Sequence, residues 1–123
     1  MLISQAIDAV DALKPNSYGR EEKVGWLSDV DMQIYREIIA VHEGGGQEFT
    51  GYDADTDIEA TELLVPSPYD ELYIHALKRQ IDLNNEEYGK YNNDCILFNS
   101  AYTNFYDWYN RENMSLGEKA FRL

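Results

Sequence analysis

Asp53, Asp55 and Asp57 stand at alternate positions behind Gly51 and Tyr52, and carboxylates spaced in this way are the usual beginning of a calcium loop. An EF-hand loop places acids at its first, third and fifth positions, a glycine at the sixth and a bidentate glutamate at the twelfth. Counting from Asp53, the sixth position is Ile58 and the twelfth is Leu64. The turn residue and the closing ligand are both missing, so the segment is expected to be a solvated acidic loop with no metal site. His42 and Glu43 are neighbours, and His75 follows Glu71 by four residues. Neither pair supplies the two histidines one helical turn apart, with a glutamate between, that a zinc hydrolase needs. The glycines at 44 to 46 are followed by no Gly-Lys-Ser/Thr, so they do not form a phosphate loop. Ser28, Ser67 and Ser100 lack a nucleophile elbow, and Cys95 is the sole cysteine, on a stripe where inert burial is expected. No catalytic residue, metal ligand or cofactor site emerges; the expectation is a protein that is not an enzyme.

The elements that must hold these residues read as helices. Over residues 2 to 13, Ile3, Ala6, Ile7, Val10 and Leu13 recur at helical spacing, with KPN as the stop. From about Gly19, Glu21 and Glu22 suit a helix N-terminus, and Leu27, Val30, Ile34, Ile38 and Val41 continue the period to the glycines. Residues 43 to 66 are acidic, Gly- and Thr-rich and without period, apart from a short extended piece, ELLVP. SPYDE at 67 to 71 predicts a helix start, with Ser67 as N-cap and Pro68 in the first turn. A break is expected near Gly89, then a last helix over roughly 91 to 112, then a tail from 114 to 123. The fold class is therefore all-α: one domain over 1 to 123, a small bundle of about four helices with a long acidic loop between helices 2 and 3.

A chain of 123 residues is long enough to bury a core. Its 23 Asp and Glu against 10 Lys and Arg give a net charge of −13, which repels a phosphate backbone and an anionic lipid surface. Neither nucleic-acid nor membrane binding is expected: no stretch approaches the ~18 apolar residues of a spanning helix, and the first residues do not read as a signal peptide. A lone cysteine excludes an intrachain disulfide and suits a reducing cytosol. The rings of Tyr102, Phe105, Tyr106, Trp108 and Tyr109 surround most of the last helix, more than one buried face needs. Some are expected at an interface, where Tyr and Trp are enriched.

In the order AIDAVDALKPNSY, EEKVGWLSDVDMQIYREIIAVHEGG, FTGYDADTD, ELLVPSPYDELYIHAL and EYGKYNND to LFNSAYTNFYDWYNR, the chain resembles the small helical head-tail connector proteins of tailed bacteriophages and prophages. These are also called adaptor or head-completion proteins. The resemblance spans nearly the whole chain and rests on the succession of segments, because no catalytic signature is involved. It implies a homo-oligomeric ring docked beneath the portal protein, joined on its other side by a tail-side connector or stopper protein. It implies a place in the virion at the head-tail junction, after synthesis in the host cytoplasm. The arm 43 to 66 becomes a mobile strap for contact with a neighbour, so that deleting residues 46 to 61 should leave the helices folded. The candidate interface residues are Tyr52, Asp53, Asp55, Asp57 and Trp108, with Phe121 and Arg122 in the tail. The alternative is a small acidic inhibitor that mimics DNA; it would need carboxylates in ordered rows on helices.

Overall fold

The computed structural model describes residues 1–42 and 47–113. Four helices make the body: α1 (Ile3–Leu13), α2 (Arg20–Ile34), α3 (Leu72–Asn84) and α4 (Tyr88–Glu112). The path of α2 continues through a π-helical turn, Tyr35–Ile39, and α3 is preceded by a 3-10 turn, Tyr69–Glu71. No strand is present among the described residues; an isolated antiparallel bridge pairs Leu2 with Glu62.

Each helix buries most of the stripe that its sequence period defines; Leu13 and Val41, expected at the ends of the first two stripes, are exposed instead. Ile3, Ala6, Ile7 and Val10 of α1 meet Leu27, Val30 and Ile34 of α2, and the same core takes in Leu72, Tyr73, Ala76, Leu77 and Ile81 of α3. From α4 come Phe98, Ala101 and Phe105. Burial of such side chains contributes about 1.5–3 kcal/mol apiece. The helices are held at their ends by ions: the almost fully buried Lys23 ammonium reaches Asp11 at 2.7 Å and the Tyr18 carbonyl at 2.8 Å. Lys14, at the end of α1, pairs with the buried Asp82 of α3.

Two boundaries differ from the sequence expectation. Ser67 makes no side-chain cap, and α-helical structure begins only at Leu72, after the 3-10 turn. The chain reverses between α3 and α4 at Asn85–Glu87, and Gly89 lies inside the first turn of α4. Glu86 takes the left-handed conformation, φ 60°. Its N–H donates to the Leu83 carbonyl at 3.1 Å, and the Glu87 N–H donates to the Asp82 carbonyl at 2.9 Å. This is the paired C-terminal closure in which glycine ordinarily takes the left-handed slot. A glutamate occupies it here, so the glycine signal pointed three residues too far.

The larger difference concerns the arm. Residues 47–66 are not a free strap: they lie along the outside of α1 and α2 and add Leu63 and Val65 to the core. The Ser4 N–H donates to the Ile58 carbonyl at 2.9 Å, the Ile3 N–H to Thr61 at 3.1 Å, and the Leu63 N–H to Met1 at 2.9 Å. The arm thus satisfies donors in the first turn of α1 that the helix cannot satisfy itself. The expectation that residues 46 to 61 can be removed without loss of folding is corrected on this ground.

Candidate functional site

The arm is anchored by one carboxylate in the interior. Asp31, on the inner face of α2, is fully buried and accepts hydrogen bonds from the Tyr73 hydroxyl at 2.5 Å, the Leu64 N–H at 3.1 Å and the Tyr52 hydroxyl. The Tyr73 hydroxyl in turn accepts from the Val65 N–H at 2.9 Å. Burial pushes the Asp31 carboxyl up, and its three donors offset that only in part. Burial and the Asp31 charge push the Tyr52 and Tyr73 hydroxyls up in turn, which keeps them protonated as donors. The network ties Tyr52, Leu64 and Val65 of the arm to α2 and α3.

A second anchor lies at Gly51. Its φ of +92° and the 2.5 Å that would separate an added Cβ from the Ser28 hydroxyl both require glycine. The adjacent Tyr52 N–H donates to that hydroxyl at 2.9 Å. Phe49 packs edge-on against Tyr52 at 5.2 Å and tilts over Tyr35 at 6.2 Å.

Fastened in this way, the acidic run is shaped but solvent-facing. Asp53, Asp55 and Asp57 are exposed. The Asp53 carboxylate accepts from the Asp55 N–H at 2.9 Å, and the Asp57 carboxylate accepts from the Glu59 N–H at 3.1 Å. These are turns of the kind in which an aspartate bonds its own backbone two residues on. Among the described residues no group of three or more His, Cys, Asp or Glu side chains is arranged to hold a metal ion.

Between the arm and the first half of α2 opens a cleft of about 320 Å³. Val24 and Gly25 of α2 and Ile58 and Ala54 of the arm give it an apolar lining. Glu21 and Arg20 border it on the α2 side, Asp53, Thr56 and Tyr52 on the arm side. Arg20 is committed to Asp8 at 2.9 Å. Of the candidate interface residues, Tyr52 and Asp53 line this cleft, and Asp55 and Asp57 lie beside it in sequence. Trp108 is elsewhere: it is half-buried and stacked on Tyr69 at 5.1 Å. Phe121, Arg122 and the rest of the tail lie outside the described residues.

Sequence reasoning did not single out Asp31 or the acid pair Asp82 and Asp94, and it left the contacts of His42 and Cys95 open. Asp82 and Asp94 are buried carboxyl groups set against each other between α3 and α4, placed to share a proton, and one oxygen of each has no other partner among the described residues. Burial, then the Asp82 hydrogen bond and charge, push the Asp94 carboxyl up to about 6. Burial also acts upward on Asp82, but the hydrogen bonds from Asp94 and Lys14 outweigh it and hold that carboxyl down. Such a pair is what a general acid would use, yet neither residue lines the cleft; the pair ties helices together. His42 is buried, with Nδ1 at 2.5 Å from the Ile38 carbonyl and Nε2 at 2.6 Å from the Asn110 side chain, so both ring nitrogens serve to join the end of the π-helical turn to α4. Cys95 is half-exposed, beside the Tyr91 hydroxyl, rather than buried in the core stripe as expected.

No protein family, curated protein or solved structure matches this chain. Among the described residues no helix is long and apolar enough to cross a membrane.

Proposed function

We propose that this protein is a structural subunit of the head-tail connector, or adaptor, type of tailed phages and prophages. In this reading copies of the chain form a ring that docks under the portal protein and receives a tail-side connector or stopper protein. The chain acts by contact rather than by catalysis and uses no cofactor. The observation that carries the reading is the arm: a long irregular segment pinned to a helical body by Asp31 and Gly51, which presents Asp53, Asp55 and Asp57 to solvent in fixed turns. Holding exposed acids in place on a loop suits a contact surface. Support also comes from the succession of helical segments that resembles the connector proteins and from the net charge of −13, which keeps a ring around a DNA exit path from gripping the phosphates.

The test is genetic and structural. Disruption of the gene in an inducible lysogen should yield DNA-filled heads without tails, and immunogold labelling should find the protein at one vertex of intact virions. Normal tailed particles from the disrupted strain would refute the proposal. The net charge also favours the acidic-mimic reading, so the same lysate should be probed for a restriction enzyme or repressor retained by the tagged chain. Its stoichiometric capture, with tailed particles unaffected, would decide for the mimic.

A further inference from the structure

We infer that the cleft between α2 and the arm is a receptor for a basic side chain, with its apolar stem, carried by a partner protein. This deepens the assembly reading and rests on the arm being a contact surface. Three observations carry it. Gly25 is exposed in the interior of α2, and a Cβ built there would meet nothing within 4 Å. A helix-interior glycine weakens its own helix, and at this position no contact among the described residues requires one. Its effect is to keep the cleft floor open.

The lining is divided in the manner of a lysine or arginine side chain. Val24 and Ile58 offer apolar surface to a methylene stem, and Glu21 and Asp53, which share the lining, offer carboxylates to the cationic head. Among the described residues Arg20 is the one cation that lines the cleft, and it pairs with Asp8; the exposed Asp55, Asp57 and Glu59 continue the negative field along the arm. A carboxylate ligand would meet that field with the wrong sign, and a wholly apolar one would leave the charged border unused. Charge complementarity therefore selects a basic segment of a partner protein.

The probe is an acetylated, amidated Gly-Arg-Leu-Lys-Gly peptide titrated into the full-length, isotopically labelled protein and followed by amide shifts. The expected result is a set of shifts centred on Val24, Gly25 and Ile58, with affinity falling several-fold as salt is raised to screen the pair. Gly25→Leu should abolish the shifts while the circular dichroism stays unchanged. Should Gly25→Leu fail to fold, the surface variant Glu21→Gln with Asp53→Asn should weaken binding at least severalfold. Equal binding of a Gly-Ser-Leu-Ser-Gly peptide would overturn the basic-ligand assignment. Shifts spread over all acidic surfaces and indifferent to Gly25→Leu, or the absence of shifts, would overturn the site. Success of the titration with a chain absent from virions removes the assembly reading alone; its failure with a chain present at the head-tail junction removes the cleft alone.

Discussion

At the scale of single residues, four positions carry more than their sequence neighbours suggest. Asp31 is the common acceptor for Tyr52, Tyr73 and Leu64, so Asp31→Ala strips three donors at once. Removing one partner from a buried polar group costs about 1–3 kcal/mol, more where the lost partner is charged, and a loss of about 3 kcal/mol is expected in urea titration. Gly51→Ala would force a left-handed alanine against the Ser28 hydroxyl and should lower stability by on the order of 1–2 kcal/mol, with amide exchange rising first in residues 49 to 58. The Asp82–Asp94 pair gives a pH signature. The Asp94 carboxyl stands near 6 in the folded chain against 3.8 for the free group, so the native state holds that proton more tightly than the unfolded state does. Its stabilising contribution is complete below the lower value and is lost as pH rises through the upper one. Asp82 is held below 3.8; its contribution is present above that value and fades only in stronger acid, outside the Asp94 window. The Asp94 share of stability should decline by on the order of 2 kcal/mol between about pH 4 and pH 7, beside a decline of the same sign from the raised Asp31 carboxyl. Asp94→Asn, which still offers Asp82 a donor, should flatten that part of the profile.

At the scale of elements, the α3–α4 turn and the arm make separate claims. Glu86 holds a left-handed conformation that glycine adopts without penalty, so Glu86→Gly should stabilise the protein by roughly 1 kcal/mol, read as a shift in the urea midpoint. A turn that did not depend on this closure would show no gain. The arm contributes hydrogen bonds to α1, a ring bonded to Asp31 and, just beyond, the buried Leu63 and Val65. Deletion of residues 47–61 is therefore expected to cause a large loss of cooperativity in thermal unfolding. α4 is the element least covered. Its 25 residues outrun the 13 of α3, and its far half packs on the 3-10 turn through Tyr69 and on His42 through Tyr109 and Asn110. Ile96, Leu97 and Tyr106 of this helix remain exposed.

At the scale of the whole molecule, a net charge of −13 opposes compaction, so moderate salt should raise the melting temperature by screening; a melting temperature that falls with salt would mean that the ion pairs outweigh the repulsion. The sequence by itself determined the four helices and the stripes they bury, because helical periodicity is a local property. Ile3, Ile7 and Val10, or Phe98, Ala101 and Phe105, identify their face without knowledge of the partner. The acidity of 43–66 is read from the sequence too, and the described part of that segment, 47–66, holds no helix or strand. What only the tertiary structure decided was where the polar groups go. Asp31 looks like one more surface acid of α2 until Tyr52, 21 residues away, and Tyr73, 42 away, are brought to it. Lys14 meets Asp82 across 68 residues. The cleft exists only because Gly51 and Asp31 lay the arm beside Gly25. Helix formation draws on neighbours three and four residues away, whereas docking an irregular segment depends on a few long-range partners. No period in the chain marks those partners, and burial alone turns them from solvated charges into anchors.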